Sequence, residues 1–390
     1  MKARAARTVI VLGLLVLGVV GATWYASKLS SAPADRSGEV VYAPGDMELP
    51  DFARVTAPRP FRFPEDHGPH SAFRTEWWYF TGNLFAQAQS HFGYQLTLFR
   101  TGLTPVAEER QSDFATDQIY FAHFALSQPG GAYNSAEHFS RGAAGLAGAS
   151  ASPPTFWLEN WSVRALDEVG DTYALSAAHA DLAVDLVLTS LKPVVAHGEA
   201  GMSRKGAEVG NASYYLSETR LATEGTVAVG SRTWRVEGTS WFDHEWGTTV
   251  LPPEAVGWDW FGLQLDDDRE LMLYQIRRAD GSFEPVSAGT LVGPDGTTIH
   301  LAGQDFTIES TAAWRSPSSG ATYPSRWRLR VPTAGLDLVI EPYQADQEVN
   351  AQFVYWEGAV RVTGLSRDTE IRGVGFVELT GYAGSYQGRF

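Results

Sequence analysis

Short stretches of alternating apolar and polar residues, separated by turn-forming residues, recur along the chain after residue 52. Residues 92–100 alternate in this way, as do residues 335–341 and, less cleanly, residues 374–379. Continuous helical periodicity is weak, so the pattern predicts an all-β protein built of sandwiches or barrels. Dipeptides typical of tight hairpin turns stand at Gly130-Gly131, Asp280-Gly281 and Asp295-Gly296.

An aromatic pattern occurs twice, which suggests two related β units. Residues 77–84 (WWYFTGNL) are followed by Tyr-Gln-Leu at 94–96, and residues 258–263 (WDWFGL) are followed by Tyr-Gln-Ile at 274–276. In each copy an aromatic strand precedes a second strand that returns after a short hairpin. The alternative is a chance similarity between two aromatic-rich strands. The length of 390 residues independently favours two domains.

The first 30 residues differ from the rest. Three basic residues precede an unbroken apolar run at 9–20, whose length lies between that of a signal peptide and that of a membrane span. The small residues at 32–34 resemble a cleavage site, but their distance from the run favours an uncleaved anchor. We therefore expect residues 1–30 to be a signal peptide or membrane anchor. Because basic residues stay inside, the remainder is expected to be exported, either periplasmic or anchored and facing the periplasm or exterior.

Residues 31–52 are rich in Pro, Ser, Gly and acidic residues and are interpreted as a linker. Residues 53–246 and 247–390 are predicted to form the two domains. The stretch 140–154, rich in Ser, Gly and Ala, is interpreted as a loop inside the first domain, because a domain ending there would be too short.

Composition narrows the classes of function. The chain has no cysteine, which excludes disulfides, iron–sulfur clusters, thiolate zinc sites and a lipid-modified N-terminal cysteine. The formal net charge is −15, and it becomes −19 when the four basic residues among the first 30 are left out. Such a surface repels phosphate backbones, which argues against nucleic-acid binding.

The densest set of titratable residues lies at 240–247 (SWFDHEWG). Asp243, His244 and Glu245 are adjacent and stand between Trp241 and Trp246. On a strand, Asp243 and Glu245 point to one face and His244 to the other, beside aromatic rings. A histidine in that setting is suited to proton transfer. The alternative is a buried histidine satisfied by a carboxylate at a domain junction.

Glu76 directly precedes four aromatic residues. A carboxyl group against aromatic rings would have a raised pKa and would serve as a general acid. The alternative is an ion pair with Arg74 at the start of a strand. Other histidines, such as His67, His70 and His123, are scattered, and their spacing predicts no metal site.

Three motifs together resemble the lipocalin-like family that includes carotenoid 1,2-hydratase (hydroxyneurosporene synthase). They are residues 76–82 (EWWYFTG), 243–247 (DHEWG) and 258–261 (WDWF). The exported AttH-type branch, whose members occur beside lipoprotein-release-type ABC permeases, looks closer still. The resemblance covers residue 55 to the end. It implies two lipocalin-like antiparallel β-barrel domains after the N-terminal segment, with a cavity between or inside them.

The resemblance also implies a chemistry. The hydratase adds water to an alkene without a cofactor: an acid protonates the alkene, aromatic faces stabilise the cation, and water attacks. The family's His-x-Trp corresponds to His244 and Trp246, and its downstream tyrosine to Tyr274. The acidic residue that follows this tyrosine in the hydratases is absent at 275–277 (QIR). Three carboxyl groups are candidates to replace it: Asp243, Asp259 and Glu76.

The candidate site residues form two sets. Those expected to be catalytic are His244, Trp246, Tyr274, Asp243 and Glu76. Those expected to bind a ligand are Trp77, Trp78, Trp241, Trp258 and Trp260. No metal and no cofactor are expected.

Three functions stay open at this point. The first is a carrier that holds a lipid or isoprenoid and works with an ABC transporter permease, which the predicted anchor and the absent acid favour. The second is a hydro-lyase or isomerase that acts on a carotenoid- or isoprenoid-like alkene, which the intact Asp-His-x-Trp-Gly motif favours. The third is a structural protein with collapsed barrels, since a shared scaffold does not determine the reaction.

Overall fold

The computed structural model describes residues 52–87, 90–105, 112, 114–248 and 251–386. The predicted signal or anchor segment, residues 1–30, and the predicted linker up to residue 51 lie outside the described residues. Among the residues described, none forms a helix long and apolar enough to cross a bilayer. The short 3₁₀ helices are Glu65–His67, Ala143–Gly145 and Pro332–Ala334.

Strands β1 to β13 form one antiparallel sheet. In chain order they are β1 Thr75–Ala86, β2 Ser90–Gly102, β3 Gln118–Ser127, β4 Tyr133–Ser140, β5 Ala147–Ala151, β6 Pro154–Leu158, β7 Trp161–Ala165, β8 Thr172–His179, β9 Leu182–Ser190, β10 Val195–Ala196, β11 Met202–Arg204, β12 Ala212–Val229 and β13 Arg232–Gly247.

Strands β14 to β23 form a second antiparallel sheet. They are β14 Ala255–Leu265, β15 Glu270–Arg278, β16 Ala288–Val292, β17 Thr298–Ala302, β18 Thr307–Arg315, β19 Thr322–Val331, β20 Leu336–Pro342, β21 Glu348–Asn350, β22 Val354–Ser366 and β23 Thr369–Leu379.

The two sheets share one topology. Along the main ladder of each sheet, neighbouring strands follow chain order except that β9 pairs with β12 and β20 with β22; the short strands β10 and β11 pair with β12, and β21 pairs with β22. The first strand also pairs with the last, β1 with β13 and β14 with β23. Each ladder of described strands is interrupted once, after its fourth strand, between β4 and β5 or between β17 and β18. A meander whose ends meet in this way curls into a barrel-like shape. The predicted all-β fold of two barrel-like antiparallel sheets is therefore confirmed.

The repeated aromatic pattern occupies matching hairpins, β1–β2 and β14–β15, as expected of two related β units. Its registers nevertheless differ, since Tyr94 lies opposite Gly82 whereas Tyr274 lies opposite Trp260. The first sheet ends at Gly247 and the second begins at Ala255. The division into domains at residues 246 and 247 stays a prediction.

Each barrel has its own apolar core, and a third cluster joins the two. Side chains alternate along a strand, so β1 sends Trp78 and Phe80 into the first barrel and turns Tyr79 the other way. Tyr79 packs with Trp260 and other residues of the second sheet in the joining cluster. The two barrels thus contact each other through the outer faces of their strands.

A buried ion cluster also connects the sheets. Glu270, at the start of β15, has a fully buried side chain and lies 2.8 Å from Nζ of Lys192 and 2.5 Å from Nε of Arg220, both from the first sheet's part of the chain. Removing one member of a buried ion pair leaves the others without compensation.

We expect Glu270→Gln to lower the free energy of unfolding by about 3 to 5 kcal/mol, because Lys192 and Arg220 lose their common anion. Urea denaturation measures this change. The matched control is Glu309→Gln, whose carboxyl lies 60% exposed on β18 and should leave the value unchanged. Equal stability of the two variants would show that the cluster does not connect the barrels energetically.

Candidate functional site

The end of β13 sends its titratable residues to two different places. Asp243 and Glu245 face a cleft between the sheets, whereas His244 and Trp246 face away from it. The adjacent strand β1 follows the same division, because Tyr79 lies opposite Asp243 and Trp78 lies opposite His244. The predicted alternation of this motif is confirmed, and its consequence is that the candidate catalytic residues do not form one site.

The cleft has largely aromatic walls. Its space, counted together with its opening to solvent, is about 900 Å³. The ring-bearing side chains that line it include Trp77, Tyr79, Phe99, Phe121, Tyr215, Trp258, Trp260, Tyr274, Phe353, Tyr355 and Tyr386. Clefts of mostly apolar lining with a few polar groups are the usual form of small-molecule sites.

Asp243 is the polar centre of one wall. Its carboxylate accepts hydrogen bonds from the Tyr215 hydroxyl at 2.7 Å, from Nε1 of Trp241 at 2.6 Å and from the Ser217 hydroxyl. Nε1 of Trp260 donates in turn to the Tyr215 oxygen at 2.8 Å. Burial raises the pKa of Asp243 to about 7, against the three donors, which lower it. The carboxyl is therefore protonated in part at neutral pH, as a general acid requires.

A second carboxyl with similar properties comes from the other sheet. Glu378 on β23 lines the cleft and accepts a hydrogen bond from Nε1 of Trp258 at 2.7 Å. Burial, opposed by the hydrogen bond from Trp258 and assisted by the charges of Asp243 and Glu245, raises the pKa of Glu378 to about 7. The cleft thus presents carboxyl groups of intermediate pKa from both sheets.

Two further polar groups of the wall, Lys205 and Glu245, form a charged pair beside Tyr274. Nζ of Lys205 lies 2.7 Å from Glu245 and sits over the Tyr274 ring, 4.7 Å from its centroid. Burial is the largest single influence on Lys205 and lowers its pKa, but the charge and hydrogen bond of Glu245 together with Tyr274 and Asp243 outweigh it and raise the pKa overall, so the ammonium stays charged. The Tyr274 hydroxyl is within hydrogen-bond distance of the backbone of Arg204 and Val286.

Glu76 lies on the opposite face of the sheet, in a buried network with Arg100 and two histidines. Its carboxylate is 2.8 Å from Nε of Arg100, 2.9 Å from Nε2 of His244 and 2.8 Å from Nδ1 of His70. Burial acts to raise its pKa, but the hydrogen bonds of both histidines and the charge of Arg100 lower it well below the ordinary value. The expected raised pKa of Glu76 is therefore wrong, because its carboxylate is paired with Arg100 and hydrogen-bonded to His70 and His244.

This network holds the segment that precedes β1. The ring of Trp246 stacks on that of His70 with a centroid distance of 3.8 Å and an angle of 4°, and Phe61 meets it edge-on at 6.0 Å. Trp78 stacks on His244 at 5.2 Å inside the first barrel. Three residues expected to be catalytic or ligand-binding therefore have structural contacts here: His244, Trp246 and Trp78.

His70, Glu76 and His244 also have the side-chain types and proximity to hold a metal ion, a grouping that their spacing in the sequence did not reveal. Their contacts are those of a hydrogen-bonded network in which Arg100 already neutralises Glu76. His70 additionally contacts Asp66 at 3.0 Å. We therefore interpret the cluster as an anchor for residues 52–74.

The structure brings together the other candidates in the cleft. Trp77, Trp258, Trp260, Tyr274 and Asp243 line it, and Trp241 lies directly behind Asp243, with its ring edge-on to Trp260 at 5.9 Å. Sequence reasoning missed Glu378 and Lys205. Glu378 belongs to an alternating segment that predicted a strand but not its partner, and Lys205 carries no motif at all.

Comparison with known proteins places this chain in a family. The family model of AttH-like proteins matches residues 54–382. The protein belongs to the AttH-like family, as the sequence motifs predicted.

Solved structures agree with this assignment. An AttH protein from Nitrosomonas europaea is 33% identical, with a TM-score of 0.75 over 85% of this chain and 99% of that one. Kievitone hydratase from Nectria haematococca shares the fold at 16% identity, with a TM-score of 0.64 over 86% of this chain and 97% of that one. No curated protein matches the sequence.

Glu76→Gln should lower the free energy of unfolding by about 3 to 5 kcal/mol at pH 6, because Arg100 loses its buried anion. Glu76 has a lowered pKa in the folded protein, so its contribution is full above 4.5, the ordinary value, and is lost as the pH falls through the folded pKa. The stability gap between wild type and variant should therefore narrow from pH 5 to pH 3. Urea titrations at each pH measure it.

The control for this titration is Glu65→Gln, an exposed carboxyl in the same segment. Its free energy of unfolding should equal that of the wild type at every pH. A Glu76→Gln gap that is constant with pH would contradict the assigned ion network.

Proposed function

We propose that the cleft binds a hydrophobic small molecule of lipid or isoprenoid type and that Asp243 performs acid–base chemistry on it without a cofactor. The reaction would be the hydration or isomerisation of an alkene. The observation that carries this proposal is a buried carboxyl of near-neutral pKa in an aromatic wall. Such a group delivers a proton in a place from which bulk water is largely excluded.

The proposed reaction begins with proton transfer from Asp243 to one alkene carbon, which leaves a carbocation on the other. Ring faces of Trp258 and Trp260 stabilise this charge. For hydration, water adds to the cation and its surplus proton passes to Glu378. For isomerisation, Glu378 removes a proton from an adjacent carbon instead. Solvent exchange returns Asp243 and Glu378 to their starting protonation states.

The likeness to kievitone hydratase supports the proposal only in showing that a hydratase uses this fold. The proposed roles differ from those implied by the sequence motif. Asp243 and Tyr274 remain residues of the proposed site. In contrast, His244, Trp246 and Glu76 have a structural role, because they belong to the network that anchors the segment before β1. Tyr274 keeps Lys205 in place and so positions the charged pair with Glu245.

A carrier function is the second candidate, and the breadth of the aromatic lining favours it, since holding an apolar ligand requires no titratable group. In this form the protein would be exported, attached to a membrane by its N-terminal segment, and would exchange its ligand with an ABC transporter permease. The two functions use the same cleft and differ in whether Asp243 is needed for turnover.

We expect full-length protein purified from its own cells to carry an extractable lipid or isoprenoid. Incubation of that compound with the enzyme in D₂O should place carbon-bound deuterium in it, because Asp243 exchanges its proton with solvent before donating it. Mass spectrometry of the extract measures the label. Asp243→Asn should reduce the rate of labelling by at least about 100-fold, the usual contribution of a general acid.

The control variant is Glu224→Gln, which removes an exposed carboxyl on β12 and should label at the wild-type rate. Binding of the compound without labelling would favour the carrier. A protein that neither carries nor takes up an apolar compound would contradict both functions.

A further inference from the structure

The cleft contains more negative groups than positive ones. Three carboxyl groups line it: Asp243, Glu245 and Glu378. Lys205 is the one ammonium among its described lining residues, and it is already paired with Glu245 at 2.7 Å. A further carboxyl, Glu357, lies directly behind the wall, since the hydroxyl of the lining residue Tyr79 donates to it at 2.7 Å.

The carboxyl groups other than Glu245 have neutral partners. Asp243 accepts from two hydroxyls and an indole, Glu378 from the Trp258 indole, and Glu357 from the Tyr79 hydroxyl. Within the described ranges, no Lys or Arg side chain forms an ion pair with these three. Oε2 of Glu357 is buried and has no hydrogen-bond partner there. Burial raises the pKa of Glu357 well above its ordinary value and keeps that carboxyl neutral, so the negative charge of this wall comes from Asp243 and Glu378 when they are ionised. Buried carboxylates are normally compensated by cations, and these two lack such a partner.

Aromatic faces surround this unbalanced charge. Trp77 and Trp260 line the cleft together with Trp258, whose indole already contacts Glu378. Ring faces attract cations through their quadrupole, most strongly when both are removed from water, and aromatic rings combined with carboxylates recognise substituted ammonium groups. The carbocation of the proposed reaction carries a positive charge that the same ring faces and carboxylates would stabilise.

We propose, on the basis of the function proposed above, that the cleft selects a tertiary or quaternary ammonium group on an apolar chain over neutral and carboxylate molecules of similar length. Such an amine is a stable mimic of the carbocation and inhibits the reaction, since groups that resemble the transition state bind more tightly than the substrate. Free fatty acids are excluded by the same carboxyl groups.

The test compares three probes of similar chain length on the full-length protein at pH 8: hexyltrimethylammonium, 1-octanol and octanoate. Isothermal titration calorimetry measures each dissociation constant. We expect the ammonium probe to bind about tenfold or more tightly than octanoate and several-fold more tightly than octanol, within the range of desolvated cation–π and charge pairs. Octanoate binding as tight as that of the ammonium probe would overturn the inference.

Variants separate charge from shape. Glu378→Gln should weaken the ammonium probe about tenfold and leave octanol unchanged, whereas Glu224→Gln, on the exposed face of β12, should change neither. Asp243→Asn provides the same comparison if the first variant does not fold, as judged by its thermal transition. If octanol binds and the ammonium probe binds no more tightly than octanol, this inference is contradicted, whereas the proposed function is not. Failure of all three probes to bind the wild type contradicts the proposed function as well.

Discussion

The structure depends on the strict alternation of side chains along β1 and β13, two paired strands whose opposite faces have different tasks. One face fills the first barrel and anchors the segment before β1, and the other forms a wall of the cleft. A shift of one residue in their register would exchange the two sets completely. Fold and site are therefore specified by the same pairing, and the aromatic residues at 77–80 and 241–246 serve both.

The two faces treat their carboxyl groups in opposite ways. Glu76 is surrounded by Arg100 and two histidines, and its pKa is lowered. Asp243, a few residues away across the sheet, has neutral donors, and burial raises its pKa to about 7. The first arrangement stabilises a fixed anion, while the second leaves a proton available near neutral pH. This difference in partners, rather than in burial, separates a structural acid from a chemical one.

Much of the fold was predictable from the sequence because its signals are local. Alternation and turn dipeptides such as Asp295-Gly296, which joins β16 to β17, follow from the period of a strand and from the positive φ of glycine. The motif at 243–247 showed that Asp243 and His244 point apart. What it could not show is which strand lies opposite: Glu378 comes from the second sheet, and His70 reaches Glu76 from a loop, so both contacts depend on long-range packing.

The proposed chemistry requires that Asp243 holds a proton near neutral pH in the cleft. Infrared difference spectra of wild type minus Asp243→Asn, recorded over a pH titration, isolate the C=O stretch of this one carboxyl. We expect a protonated-acid band that is strong at pH 5 and disappears as the pH rises through about 7. A band that is already lost at pH 5, as for a carboxyl near the ordinary value of 3.8, would contradict it.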